Sequence, residues 1–547
     1  LRIPIANATL RGVVIRRGID SAEAFSRFVT PEIGHLHDPA GIHGMQHACE
    51  RIERAVRDGE TILIYGDYDV DGVTSIVLLQ TVLRSLGADA AHVVPHRLFD
   101  GYGLKTEVLD RVLAERNVKL VITVDCGITS VEPVQRAIER GIDVIITDHH
   151  LPPGTLPEAA AVLNPKQPGC DYPFKELAGV GVAFKLCCEL IRRNGKKISI
   201  DSLLKIAAIG TIADVAPLTG ENRTIVWLGL RGLAEVNNRG LRALLRRVGI
   251  YGKPLRASDI GFKIGPRINA AGRLASADTA IDLFAATSDE SAWELCATLD
   301  RMNVERQEVE LEVRAAAEAA VEAEAAADGP QRVLVLAGEG WHKGVVGLTA
   351  GRLMQKFHRP ALVLSIEGDR AVGSGRSIRS IDLHAQLERV SDLFTHFGGH
   401  ELACGFSLDA SRIDELRRRL RENFAELDGS LFARDAEVEG VVTIGDLDRG
   451  FVEAHEMLQP FGSGNSQPMF MLRGAHVVST RNFAEDCCEV VLEDGSGRMP
   501  AVVWPSVKEL AAELVRLGRS DVLFHVEPDS YSPTGARLVL ADARKSE

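Results

Sequence analysis

Short apolar runs alternate with longer amphipathic stretches through the first half of the chain. Thr61 to Tyr65, Leu120 to Val124 and Asp143 to Thr147 are dense in Val, Ile and Leu and read as buried strands. The stretches between them read as helices, so the pattern is βαβαβ. Right-handed crossovers make such strands parallel and bring their carboxyl ends to one edge, where open α/β sheets place their ligands. Each of the three runs is followed at once by polar residues of one kind: Gly66-Asp67-Tyr68-Asp69-Val70-Asp71-Gly72, Asp125-Cys126-Gly127 and Asp148-His149-His150. The acids are therefore expected to converge.

Farther along come Asn164-Pro165, a Gly-rich turn at Gly179-Val180-Gly181, and helices that include Leu203 to Ile209. Gly210-Thr211-Ile212-Ala213-Asp214 puts another acid at the end of an apolar run. From Arg273 to Asp328 there is neither Gly nor Pro, and Thr287-x-x-Glu290 has the form of a capping box. The Ala- and Glu-rich tract beyond it is long enough for about 40 helical residues, roughly 60 Å. Asp328-Gly329-Pro330 stops it. A second α/β unit starts at Val333-Leu334-Val335-Leu336, continues through Ala361 to Ile366 and ends near Leu427. Past residue 433 short alternating runs broken by Gly, Asp and Pro indicate a small all-β barrel of the OB type.

The expected architecture is multidomain α/β with an all-β end. Residues 1–39 form an N-terminal extension, 40–285 a parallel-sheet domain with a helical insert, and 286–328 a long connecting helix. Residues 329–430 form the second α/β domain and 431–547 the OB-like barrel.

Composition narrows the class. A chain of 547 residues suggests three or four domains. Its 45% hydrophobic and 25% charged content is ordinary for a soluble globular protein. No apolar stretch approaches the ~20 residues of a membrane span, and Leu1 to Ile15 lacks the apolar core of a secretory signal. The opening Leu in place of Met points to a few missing native residues. Nine cysteines without a Cys-x-x-Cys, including the adjacent pairs Cys187-Cys188 and Cys487-Cys488, fit a reducing, cytoplasmic compartment. The net charge of −13 excludes indiscriminate coating of nucleic acid but leaves room for a local basic groove.

Asp67, Asp69 and Asp71 stand two apart between strand and helix, and oxygen ligands at that density suit Mg²⁺ or Mn²⁺. His149 and His150 tilt the choice toward Mn²⁺. Two such ions about 3.5–4 Å apart are the usual equipment for hydrolysing phosphate esters. Taken singly, an Asp-x-Asp is a solvated turn, Asp148-His149-His150 a helix cap, Cys126 a small core residue, and Asp214 either an N-cap or a ligand. Three clusters at consecutive strand ends favour the metal site. Arg97, Arg267 and Arg273 sit in Gly- and Pro-rich segments that read as loops able to hold phosphate, or else as ordinary surface arginines. Gly373-Ser374-Gly375-Arg376-Ser377 has the composition of an anion-binding nest. Gly398-Gly399 is either a tight turn or, with His400, a phosphate contact. Phe461, Phe470 and Trp504 are stacking candidates or barrel core.

The combination Asp-x-Asp-x-Asp-Gly, Asp-Cys-Gly, Asp-His-His and Gly-Thr-x-Ala-Asp resembles the DHH phosphoesterase superfamily. Within it the chain is similar to the RecJ family of bacterial single-strand-specific 5′→3′ DNA exonucleases. Pro95-His96-Arg97-x-x-x-Gly101-Tyr102-Gly103-Leu104, the run Gly265 to Arg273 and Leu458-Gln459-Pro460-Phe461-Gly462-x-Gly464-Asn465 are further RecJ-like signatures. The resemblance implies that Asp69, Asp71, Asp125, His149 and Asp214 hold two ions of Mn²⁺ or Mg²⁺, with Asp125 shared and Asp67 and His150 beside them. It implies substrate contacts from Arg97, Arg267, Arg273, Ser374, Arg376 and His400. DHH pyrophosphatases carry a His ligand four residues before Asp69, where this chain has Tyr65, which favours the nuclease branch. The implied activity is release of 5′-mononucleotides from single-stranded DNA in recombination and repair. The implied partners are single-strand-binding protein and a RecQ-type helicase, with the chain a monomer away from membranes. A nanoRNase or cyclic-dinucleotide phosphodiesterase, and a non-catalytic replication factor of the same fold, are the alternatives.

Overall fold

The computed structural model describes residues 5–97, 100–101, 103–484, 487–529, 532 and 534–546. Two short helices come first, α1 (Ala8–Arg16) and α2 (Ala22–Val29). The first sheet is built from β1 (Thr61–Gly66), β2 (Asp89–Val93), β3 (Val118–Val124), β4 (Asp143–Thr147) and β5 (Ala161–Leu163). All pairs are parallel, in the order β2-β1-β3-β4-β5. The chain moves outward from β1 to β2 and returns to β3 on the other side, so a crevice opens at the carboxyl ends of β1 and β3. Ile62, Ile64, Leu120 and Ile122 enter one core while Leu63, Tyr65, Val121 and Val144 enter another. Burial on both faces is why these strands are continuous apolar runs.

Helix α3 (Val70–Leu86) leaves β1 and is buried along almost its whole surface. It packs against α4 (Gly179–Asn194) and α5 (Ile200–Ala213). Gly210 permits the approach, since a Cβ there would lie 2.3 Å from Thr74 Oγ1. The Gly179-Val180-Gly181 segment, expected as a turn, is the first turn of α4.

After α6 (Gly265–Leu274) the chain enters α7 (Asp289–Asp328), a single helix of 40 residues. Its N-cap is Ser288 rather than Thr287. Ser288 is extended and its Oγ accepts the Ser291 N–H at 3.1 Å, so the register shifts by one from the expected box. Buried positions recur along one face at Ala292, Cys296, Leu299, Asn303, Arg306, Glu310, Val313, Ala317 and Val321. The first three join the core of the parallel-sheet domain, and Ala317 and Val321 join a core of the second domain. One rigid element is thus anchored at both ends.

The second sheet comprises β6 (Leu334–Glu339), β7 (Ala361–Glu367), β8 (Arg370–Arg376), β9 (Phe394–His400) and β10 (Ala403–Asp409). Its order is β6-β7-β8-β10-β9, with only β6 and β7 parallel. Helix α8 (Lys343–Phe357) covers β7 and β8.

The last module contains β11 (Gly440–Val441), β12 (Phe470–Ala484), β13 (Cys487–Glu493), β14 (Arg498–Val503), β15 (Ser520–Pro528) and β16 (Ala536–Lys545). Pairing of β12 with β15 closes the circuit β12-β13-β14-β16-β15 into a five-stranded barrel. Its core takes Leu10, Val13 and Val14 from α1 and Phe25 from α2, so the N-terminal helices belong to the barrel's interior packing. Phe470 is fully buried there and Phe461 packs against that core. Trp504 is half-buried, edge-on to Phe483 and under Arg537. The cysteines are all free, and no helix among the described residues is long and apolar enough to cross a membrane.

Candidate active site

Where β1 ends, Asp67 and Tyr68 turn the chain into α3. Asp69 caps that helix, its Oδ1 accepting the Asp71 and Gly72 N–H groups at 2.9 and 3.1 Å. Asp71 lies within the first helical turn, and its carboxylate accepts the Gly179 N–H at 2.8 Å and the Val180 N–H at 2.7 Å. It thereby fixes the start of α4 against α3, as the positive end of a helix favours. Asp125 follows β3 in the left-handed region, φ 59. Gly179 is required beside it, because a Cβ there would stand 2.6 Å from Asp125 Oδ1. Asp214 is the C-cap of α5, a helix end rather than a strand end, and the next residue, Val215, has φ 60. A valine in that region costs about 1–2 kcal/mol, and such strain collects at functional sites.

Asp148 ends β4 fully buried. It accepts the N–H groups of Ile128 (2.9 Å) and His149 (2.7 Å) and pairs with His150 Nδ1 at 2.7 Å. The loop folded this way sends His149 into the acids. Its Nε2 lies 3.2 Å from Asp125 Oδ1 and 4.0 Å from Asp71 Oδ2, and its Nδ1 3.9 Å from Asp214 Oδ2. Three overlapping trios have ligand atoms within 4.8 Å of one another: Asp67-Asp69-Asp125, Asp71-His149-Asp214 and Asp125-His149-His150. Buried Asp67 Oδ1 accepts no hydrogen bond among the described residues. Carboxylate oxygens with imidazole nitrogen, packed this closely with so little internal compensation, fit a divalent cation such as Mn²⁺ or Mg²⁺.

The electrostatics agree. Burial, then repulsion from neighbouring acids, holds Asp67, Asp71 and Asp125 well above the usual carboxylate range. Burial and Asp69 push Asp214 up to about 7. Burial and the adjacent His150 cation pull His149 down to about 3, which keeps it neutral and able to ligate. Burial opposes the charge of both Asp148 and His150, but their mutual hydrogen bond and attraction win, lowering the first and raising the second.

A pH dependence follows. Between about pH 6.5 and 8, Asp214, folded near 7 and unfolded near 3.8, binds more proton in the folded state, and this outweighs the opposite contribution of His149, folded near 3 and unfolded near 6.5. His150, raised, acts in the same direction. Stability of the metal-free protein should therefore fall as pH rises through that window. Mn²⁺ affinity should rise over the same window, because binding displaces protons. Thermal melts with and without Mn²⁺ at pH 6.5 and 8 check both; a metal-free melt that rises with pH contradicts the assignment.

His150, with Tyr68 and Asp148, connects the cluster to a cleft of about 1130 Å³ between the first domain and the β8-β10-β9 face of the second. Tyr68, Arg97, Lys105, the 127–129 loop and His150 line one side. Lys343, Gly347, Arg370, Ser374, His396 and His400 line the other. Arg97 sits 4.9 Å over the Tyr68 ring. Arg273 donates to Gly344 O at 2.9 Å, and Arg376 donates to Ser374 Oγ at 3.0 Å and Gly375 O at 2.8 Å. Burial, with Arg97, Arg306 and Arg376 close by, draws Arg273 down to about 9. Burial and Arg97 lower Arg376 too. None of Arg97, Arg273 and Arg376 has a carboxylate partner among the described residues, which leaves a concentrated positive pocket.

Several sequence expectations change. The segment from Gly373 to Arg376 is strand rather than nest. Its backbone groups pair with β7 and β10, while Arg370, Val372, Ser374 and Arg376 alternate with core-facing neighbours. Gly373 and Gly375 are small because Phe406 and Leu383 press there, 2.4 and 2.7 Å from where a Cβ would be. Gly398-Gly399-His400 ends edge strand β9 and is not a tight turn, and His400 is exposed on the cleft. Arg267 is not brought to the cleft. It lies on helix α6, not a loop, and its Nε donates to Asp300 of α7 at 2.9 Å. The rest of that motif serves the site from behind. Asn269 Oδ1 accepts the Val70 N–H at 3.2 Å, and a Cβ on Gly272 would lie 2.4 Å from Tyr68 O. Tyr65 is fully buried and its hydroxyl donates to Gly103 O at 3.1 Å, bracing the cleft wall. Tyr102 lies outside the described residues.

Residues whose role the sequence reading missed are the anchor Asp148, Asn164, which donates to His150 O at 2.9 Å, and the cleft cations Lys105, Lys343 and Arg370. Asn164-Pro165 was a visible signal; isolated lysines carry none.

Parallel strands whose carboxyl ends gather carboxylates and an imidazole, beside a basic cleft on a second domain, have the architecture of the DHH family. Models of the DHH family N-terminal domain, the DHHA1 domain and the RecJ OB domain match residues 61–211, 331–426 and 438–535. The chain is 40% identical to the single-stranded-DNA-specific exonuclease RecJ of Bacillus subtilis, over 86% of this chain and 59% of that one, so it spans under two thirds of that relative's length. It is 36% identical to the Salmonella typhimurium protein of the same name, covering 84% of this chain and 82% of the relative. The crystal structure of RecJ from Thermus thermophilus in complex with Mn²⁺ superposes with a TM-score of 0.82 at 28% identity, over 100% of this chain and 79% of that one. The chain belongs to the RecJ family.

Proposed function

We propose that this chain is a metal-dependent exonuclease specific for single-stranded DNA, working 5′→3′ and releasing 5′-mononucleotides. Asp69, Asp71, Asp125, His149 and Asp214 would hold two ions of Mn²⁺ or Mg²⁺, flanked by Asp67 and His150. The observation that carries the reading is that His150, a member of this cluster, lines one cleft with Arg97, which adjoins Arg273 and Arg376 and has no carboxylate partner among the described residues. Bound cations would supply Lewis acidity and charge at a scissile phosphodiester.

The chain's own groups do the rest. Arg97, Arg273 and Arg376, with Ser374, offer charge-assisted hydrogen bonds to a terminal 5′-phosphate. His400 and the lysines at the rim offer further backbone contacts. His150, held as a cation by Asp148, can stabilise the scissile phosphate or give its proton to the departing 3′-oxygen. The family resemblance extends to cooperation in the cytoplasm with single-strand-binding protein and a RecQ-type helicase, with the chain as a monomer. Added helicase should let the chain degrade a duplex end.

The test uses 5′-labelled long single strands, duplexes and di- to tetranucleotides with Mn²⁺ or EDTA. Metal-dependent loss of the long single strands alone supports the reading, and degradation confined to the shortest oligomers points to an oligonucleotide phosphodiesterase. Arg376→Gln should lower kcat/KM on 5′-phosphorylated strands by about 10- to 100-fold, the worth of a hydrogen bond to a charged group. It should change 5′-hydroxyl strands little, and equal losses on both would remove the pocket's role.

A further inference from the structure

The corner that carries Asp214 is held by the barrel. Helix α5 closes with Val215 N–H on Ile212 O at 3.1 Å and Ala216 N–H on Thr211 O at 3.3 Å, a pattern whose left-handed position ordinarily belongs to Gly. Val215 occupies it with φ 60 and a side chain 68% exposed, so neither backbone preference nor packing of that residue explains why the corner keeps this shape. The next residues supply the reason. Leu218 N–H donates to Ser463 O at 2.7 Å. A Cβ on Gly462 would come within 2.7 Å of Leu218 Cδ1. One on Gly464 would lie 3.1 Å from Pro217 Cβ and 3.2 Å from Thr219 Cγ2.

The loop behind these contacts is itself tied down. Asn465 Nδ2 donates to Leu458 O at 2.9 Å and Pro460 O at 2.8 Å, and Arg17 of the N-terminal segment donates to Asn465 Oδ1. From the first domain, buried Arg223 donates to the Leu458 and Gln459 carbonyls at 3.2 and 2.5 Å and stacks 3.5 Å from the Phe28 ring. The Leu458 to Asn465 signature is thus a block pressed onto residues 217–219, three residues from an acid of the cation cluster.

We infer that the 458–465 loop is a positioning element for Asp214: docking of the barrel fixes the strained corner and, through it, a ligand of the cation site. The inference rests on Asp214 being such a ligand, as in the proposed function. A barrel that only guided DNA would leave cation binding untouched.

Gly464→Ala, which presses on Pro217, is compared with Gly495→Ala, which places the same left-handed strain (φ 88) in the same barrel with nothing within 4 Å. The full chain is used, with Mn²⁺ binding followed by titration calorimetry and metal-free stability by thermal melting. Both variants should melt slightly earlier. Only Gly464→Ala should weaken Mn²⁺ at one site, by about tenfold, the usual effect of disturbing what orients a ligand. Its kcat should fall with KM for single-stranded DNA nearly unchanged. Leu218→Ala, which empties the contact without adding bulk, should act in the same direction if Gly464→Ala folds poorly. Equal Mn²⁺ binding by the two glycine variants, or a rise in KM alone, overturns the inference while leaving the functional reading intact. Equal Mn²⁺ binding by wild type and Asp214→Ala overturns both.

Discussion

Asp125→Asn is expected to abolish turnover while leaving the metal-free fold at least as stable as before. Asp125 stands in two of the three ligand trios and touches His149, so its removal withdraws charge from the whole cluster at once. Losing a group that acts as part of such a unit should lower kcat by at least about 10³-fold. Asparagine keeps the shape and tolerates φ 59. Folding should not suffer, because the carboxylate is buried among Asp71, Asp69, Asp67 and Asp214, which oppose its charge. Its removal should raise the melting temperature of the metal-free protein, more at pH 8 than at pH 6.5. Turnover within tenfold of wild type, or a large drop in metal-free stability, would show that Asp125 is a structural group.

Lys185→Met should destabilise the protein by about 3–5 kcal/mol, the cost of leaving a buried charge without its partner. Lys185 and Glu221 are each 1% exposed, with Nζ 2.5 Å from Oε1. Lys185 also donates to His37 O at 2.8 Å, and Glu221 accepts from Tyr172 Oη at 2.6 Å and the His37 N–H at 2.7 Å. Adding Glu221→Gln, which removes the orphaned charge and keeps an acceptor for Tyr172 and His37, should recover much of the loss. Urea unfolding of the wild type, the single and the double variant decides between charge burial and packing as the cause, and no recovery in the double variant means packing. Glu221 and Arg223 share one helix, so loosening this network should also loosen the barrel's anchor.

Much of the site was legible because burial on both faces leaves continuous apolar runs, and polar residues directly after them can only lie at the sheet edge. Strands β2 and β5 were not legible: Asp89–Val93 is half-exposed and Ala161–Leu163 has three residues, too little pattern to distinguish from loop. The long helix was legible because nothing in it breaks a helix and its buried face repeats. Glycine misled most. A glycine in sequence suggests a turn, yet Gly179, Gly373 and Gly375 sit in regular elements because a carboxylate or a side chain from elsewhere occupies the space of their Cβ.

The arginines show the same limit from the other side. Arg267 and Arg273 are six residues apart in one motif, but only Arg267 meets a carboxylate, Asp300, from the distant helix α7. The sequence by itself determined the chemistry, because ligand type and strand-end position are local properties of the chain. The tertiary structure decided which cations stay unpaired, that Asp148 is an anchor, and that the barrel's loop reaches the corner of Asp214. Each of those depends on which elements the fold brings together, from Asp300 beside Arg267 to Ser463 beside Leu218, and no local pattern encodes which surface a side chain will meet.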